Sequence, residues 1–115
     1  MKYRNVKTEA GGITFDSKAE AKRWGELQML ARGGLIDNLT RQESFELAPA
    51  VRFAGEKRQK PPLRYVADFS YTEWQGDKKM RIVEDVKSPA TMTRAFQIKR
   101  HLMMSLFGID VRIVK

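Results

Sequence analysis

Arg81-Ile82-Val83-Glu84-Asp85-Val86-Lys87 is the stretch whose reading decides the fold of this chain. Side chains alternate across a strand, so Val83, Asp85 and Lys87 share one face while Ile82, Glu84 and Val86 share the other. The strand spans residues 80–87 and stops at Ser88-Pro89. Good helix formers follow over 93–107, Gly108 ends them, and 109–114 reads as a last short strand. A strand, a helix and a strand in that order form a crossover, which places the last strand parallel to the first of the pair.

Upstream, Gln75-Gly76-Asp77-Lys78-Lys79 is a hairpin turn, so the aromatic and β-branched stretch 65–74 is the antiparallel neighbour of strand 80–87. A polar basic loop over 54–62 separates it from a further extended stretch, 35–49, whose Phe45-Glu46-Leu47 alternates as a strand does. Ser17-Lys18-Ala19-Glu20 matches a capping box, predicting a helix from Ser17 to about Ala31, stopped by Gly33-Gly34. Residues 1–16 form an arm or hairpin, with Gly11-Gly12 as its turn and Ile13-Thr14-Phe15 as the return. The order is α-β-β-β-α-β, an α/β fold with a mixed sheet flanked by helices, in a single domain covering 1–115.

A chain of 115 residues with 42% hydrophobic content suits one core, and 31% charged residues give a well-solvated surface. The net charge of +8 points to a polyanionic partner. A membrane surface fits less well, because the basic residues do not line one face of an amphipathic helix. There is no apolar run long enough to span a bilayer, and Met1-Lys2-Tyr3-Arg4-Asn5 lacks the apolar stretch of a secretory signal. The absence of cysteine excludes disulfides and thiolate metal sites, and a reducing cytoplasm fits. One histidine, His101, excludes a zinc site built from several imidazoles. Any bound metal is therefore held by carboxylates, the hard-oxygen chemistry of Mg²⁺ or Mn²⁺.

Five residues ask for chemistry. Asp85 and Lys87 project side by side from one strand face, where a carboxylate can hold a metal and an ammonium can orient water or offset developing charge. Taken alone, such a pair is more often an ordinary surface ion pair. Asp68 interrupts the otherwise apolar Tyr65-Val66-Ala67-Asp68-Phe69-Ser70-Tyr71; one face carries Tyr65, Ala67, Phe69 and Tyr71, and Asp68 lies on the other. Across the antiparallel pair Asp68 and Asp85 can approach, and two facing carboxylates repel unless a cation lies between them. Glu20 lies on the helical face of Trp24, Leu27 and Ala31, turned into the fold, although capping the helix would also account for it. On the second helix, Ala95, Phe96, Leu102, Met103 and Leu106 define the core stripe, and Lys99 falls inside it, as a snorkelling lysine or as a further cation at a phosphate site.

Glu on the first helix, Asp on the second strand and (D/E)-x-K on the third resemble the PD-(D/E)xK nuclease superfamily. Gly12-Ile13-Thr14-Phe15-Asp16-Ser17-Lys18-Ala19-Glu20, Tyr65-Val66-Ala67-Asp68-Phe69 and Val83-Glu84-Asp85-Val86-Lys87 are similar to small phage and prophage proteins usually described as endonucleases. Ala67 stands where the motif has proline, and Asp85 where glutamate is commoner. The resemblance implies a restriction-endonuclease-like core in which Glu20, Asp68 and Asp85 hold Mg²⁺ or Mn²⁺ and Lys87 is the catalytic lysine. It implies hydrolysis of DNA in the cytoplasm of a bacterial host, with branched DNA such as a Holliday junction favoured and a homodimer expected for a symmetric cut. Glu84 competes with Asp85 as a ligand if the strand is irregular. Lys57, Arg58 and Lys60 in the loop, with Arg94, Lys99 and Arg100 on the second helix, are candidate phosphate contacts. The rival reading is a non-catalytic nucleic-acid-binding phage accessory protein that keeps the same fold.

Overall fold

In the computed structural model, which describes residues 6–115, the N-terminal hairpin consists of β1 (Thr8–Ala10) and β2 (Ile13–Phe15). Gly11 and Gly12 turn it at positive φ, a region open to glycine because it has no Cβ. The expectation for residues 1–5 lies outside the described residues. Helix α1 (Lys18–Arg32) starts where the Ser17 side chain accepts the Glu20 amide at 3.1 Å. Its inward face is the one expected: Leu27 is buried, and Trp24 stacks on Phe69 with ring centroids 5.7 Å apart.

The chain continues as β3 (Ile36–Arg41), β4 (Ser44–Ala48), β5 (Leu63–Val66), β6 (Phe69–Gln75), β7 (Lys78–Val86), α2 (Arg94–Phe107) and β8 (Arg112–Val114). The central sheet has the order β3-β6-β7-β8. β6 and β7 form the expected hairpin, and β8 lies parallel to β7 after the α2 crossover. Thr93 caps α2, and Gly108 at φ 67° ends it. The fold is thus a mixed α/β sheet flanked by helices.

Two expected strands are each broken in two. The stretch 35–49 divides between Arg41 and Ser44, where Gln42 takes a φ of 54°, and 65–74 divides at Ala67-Asp68. The breaks face each other. The Gln42 amide donates to the Asp68 carbonyl at 3.1 Å, and the Ala67 amide donates to the Glu43 carbonyl at 3.0 Å. Hydrogen bonding therefore runs through the bend, while β4–β5 leaves the central sheet as a separate two-stranded ribbon.

This bend corrects the face assignment of residues 65–71. Tyr65 and Ala67 are buried with Phe45, Val83, Phe96 and Met103 on the α2 side. Phe69 and Tyr71 are buried with Phe15, Leu27 and Ile36 on the α1 side. An uninterrupted strand would place all four on one face; a bulge-like irregularity resets the alternation. The stripe on α2 is also narrower than expected, because α2 packs against the ribbon: Phe107 faces Phe45 and Phe96 faces Tyr65, with ring centroids 6.0 and 6.2 Å apart. Ala95 and Leu106 are consequently exposed, while Phe96 and Met103 are buried. Among the described residues no helix is long and apolar enough to cross a membrane.

Candidate active site

Asp68 stands on the bend itself rather than within a strand. Its Oδ2 accepts the amide of Val86 at 2.8 Å, so a side chain completes the ladder where the strand is broken. Asp85, on β7, is 2% exposed; its Oδ1 accepts the amide of Asp68 at 2.8 Å, and its Oδ2 accepts the hydroxyl of Tyr65. The two carboxylates are thus fixed against one another, on the side of the sheet that carries α2.

Lys87 Nζ lies 3.9 Å from Asp85 Oδ2 and 4.4 Å from the centre of the Phe96 ring. Lys99 joins it in a cleft of about 280 Å³ that is also lined by Arg64, Tyr65, Asp85 and Phe96. Lys99 therefore shares this cleft with Asp85, a placement compatible with both readings of it. Arg94 is exposed, between Thr93 and Ala95 of the cleft wall. The other basic candidates are not part of this cleft. Lys57, Arg58 and Lys60 sit on the exposed ribbon loop, with Lys60 paired to Glu56 at 3.2 Å. Arg100 pairs with Asp110 at 3.6 Å.

Glu20 is 5% exposed at the start of α1. Burial first, then the charges of Asp16 and Asp85, hold its carboxyl above the ordinary range, while Arg41 and the backbone of Asp16 oppose that rise. Asp68 is pushed up to about 8, by burial first and then by Asp85, with Glu20 adding to it. Each carboxylate feels the others. Even so, among the described residues no three Asp, Glu or His side chains stand close enough to form a ready cation cage. The hydrogen bonds to Val86, Asp68 and Tyr65 hold the aspartate oxygens back in this arrangement.

Glu84 lies on the opposite face of the sheet from Asp85. It is fully buried on the α1 face, where it accepts Arg23 Nε at 2.7 Å, Arg23 Nη2 at 3.1 Å and the Tyr71 hydroxyl at 2.7 Å. Strand alternation thus separates a structural glutamate from the site aspartate next to it.

The family described as "Protein of unknown function (DUF1064)" matches residues 1–114. The chain belongs to that family. No curated protein and no solved structure matches it.

Three residues of this DUF1064 chain join the site without a sequence signal. Tyr65 reads as a core aromatic, and nothing in its spacing reveals that its hydroxyl reaches Asp85. Arg41 lies over the Phe15 ring at 4.7 Å, close enough to act on Glu20. Glu43 sits in the opposing break but is tied down by the Ser70 hydroxyl at 2.6 Å and by Arg81.

Proposed function

We propose that this DUF1064 chain is a metal-dependent endonuclease that hydrolyses DNA phosphodiester bonds. One observation carries the reading: Asp85, buried and bonded to the amide of Asp68, lines a cleft that also presents Lys87 and Lys99. Burial and mutual repulsion raise Asp68, which is the electrostatic condition that a cation relieves. The donor set of Asp68, Asp85 and Glu20 is all carboxylate, so it suits Mg²⁺ or Mn²⁺. When bound, such an ion supplies an activated water and offsets charge on the phosphate. Lys87 holds its ammonium beside Asp85, where it can orient the attacking water and stabilise the developing oxyanion. Lys99 and Arg64 line the same cleft and would fix neighbouring phosphates. A binder gains nothing from buried, mutually repelling carboxylates beside a phosphate.

Branched DNA such as a four-way junction is the substrate we place first, cut by a two-fold homodimer in the host cytoplasm, because a symmetric junction needs two matched cuts. The test is incubation with labelled linear, forked and four-way DNA in Mg²⁺, Mn²⁺ or EDTA. Metal-dependent strand cleavage, fastest on the four-way substrate, is expected. Binding without cleavage under any metal would overturn the enzyme and leave the accessory-protein reading.

A further inference from the structure

The ribbon that leaves the sheet gives the cleft Arg64 and Tyr65 through β5, and it also carries much of the charge beyond the cleft. Residues 44–66 contain Arg52, Lys57, Arg58, Lys60 and Arg64 against Glu46 and Glu56, so five cations and two carboxylates give +3 of the chain's +8. Lys60 pairs with Glu56 and Arg64 with Glu46, whereas no ion pair among the described residues involves Arg52, Lys57 or Arg58. Residues 51–61 are all exposed. They include Val51 and Phe53, the latter 57% exposed.

The ribbon is held in place. β4 and β5 pair antiparallel, with a register shift between Glu46 and Ala48, and the Val51–Lys60 bridge extends the pairing into the loop. The molecule measures 55 × 40 × 26 Å, with a radius of gyration of 16.4 Å, against about 13 Å for a compact chain of this length. The ribbon is also continuous with the cleft, because Arg64, Tyr65 and Val66 of β5 line it. A basic path therefore runs from Lys87 and Lys99 through Arg64 to Arg58 and Lys57.

We propose that the β4–β5 ribbon is an arm that binds duplex DNA flanking the cut, on one side of the site. This rests on the nuclease reading and adds to it where the substrate lies. β5 begins at Leu63, and a chain extended at about 3.3 Å per residue would carry Lys60 and Arg58 at most roughly 16–23 Å from Tyr65. Phosphates on one DNA strand are spaced about 3.4 Å apart along the axis, which makes that reach about 5–7 base pairs. A second copy of this chain is a poorer occupant, since it brings the same +8 to a surface already at +3.

The test is a triple variant, Arg52→Ala/Lys57→Ala/Arg58→Ala, compared with wild type for duplex affinity in EDTA between 50 and 200 mM salt. Each lost phosphate contact lowers the salt slope by about 0.9, so a fall of roughly 2–3 and at least a tenfold loss of affinity at low salt are expected. The melting temperature stays unchanged, because the replaced side chains are exposed. In Mg²⁺, wild type should cut each strand poorly within about 6 nucleotides of one terminus, the same 5′ or 3′ terminus on both strands, and the variant should lose that polarity. If wild type binds and cuts DNA but the variant keeps the same slope and affinity, the arm is refuted and the nuclease stands. If the variant instead turns a dimer into a monomer with DNA affinity per subunit unchanged, the surface belongs to a second copy and the proposal fails. If wild type neither binds nor cuts any DNA, the nuclease reading fails, and the arm with it.

Discussion

Asp68 and Asp85 are bonded through each other's strands: the Asp85 carboxylate accepts the Asp68 amide at 2.8 Å, and the Asp68 carboxylate accepts the amide of Val86, next to Asp85, at 2.8 Å. Both acids are therefore positioned by backbone, so their separation is set by the bend and not by free rotamers. The same bonds explain how two like charges persist in a largely buried place, since each carboxylate receives a main-chain donor.

Asp68→Asn should stabilise the metal-free protein at alkaline pH. Burial first, then Asp85, hold the Asp68 carboxyl at about 8 against an ordinary 3.8. The folded state thus keeps this proton more tightly than the unfolded chain does. Stability from this group is complete below about pH 4 and is lost as pH climbs towards 8. Asparagine mimics the protonated form and keeps an acceptor for Val86. In EDTA at pH 9 we expect a gain on the order of 1 kcal/mol, about 4 °C in Tm, shrinking towards pH 4. A melting series that shows no pH dependence of the difference would refute the shift.

Asp85→Asn and Glu84→Gln should separate activity from stability. Asp85→Asn is expected to abolish cleavage while DNA affinity in EDTA is equal or tighter, because a negative charge near phosphate has gone. Glu84→Gln removes the charge that Arg23 grips at 2.7 Å in a fully buried setting, so it should cost about 3 kcal/mol of stability. Its cleavage rate per folded molecule, measured well below Tm, should stay within about twofold. A dead but stable Glu84→Gln would reverse the assignment of the two faces.

The elements set by local chemistry were readable in the sequence. Ser17 and Thr93 begin the helices, and Gly33, Gly34 and Gly108 end them, because capping depends on a few neighbouring atoms. The β7–α2–β8 crossover was equally plain. The paired breaks at Gln42 and Asp68 were not, since neither position carries the glycine or proline that announces a bulge. Each break is held by the opposite strand, so the cause lies across space. That is also why Asp68 was expected inside a strand, yet still met Asp85: the bend changed its route without removing the approach.

Lys87 and Lys99 line one cleft but should fail differently. Lys87 lies 3.9 Å from Asp85, so Lys87→Ala should lower kcat by about 10²–10³, the usual loss for one donor to a developing oxyanion. Lys99 lines the cleft from α2. Lys99→Ala should raise KM several-fold and change kcat by no more than about threefold, as expected for binding shared by ground and transition states. Steady-state kinetics on a single DNA substrate decide this. Equal kcat losses would move Lys99 into the chemical step.

Tyr65→Phe tests the bond that no periodicity could reveal. The Tyr65 hydroxyl donates to Asp85 Oδ2, and burial followed by the charge of Asp85 raises the phenol, so the proton stays on tyrosine. Removing the hydroxyl leaves the ring in place against Phe45 and Phe96, each 6.2 Å away between centroids. The fold should persist, but Asp85 loses the donor that sets one oxygen. Outer-shell partners of this kind are worth about 10–100-fold in metal affinity or activity. The Mg²⁺ concentration for half-maximal cleavage should therefore rise about tenfold, with the rate at saturating Mg²⁺ recovering most of the wild-type value. Loss of activity that no amount of Mg²⁺ restores would instead mean that the hydroxyl acts in the chemical step. An unchanged Mg²⁺ requirement would reduce Tyr65 to a packing residue and remove the link between the ribbon and Asp85.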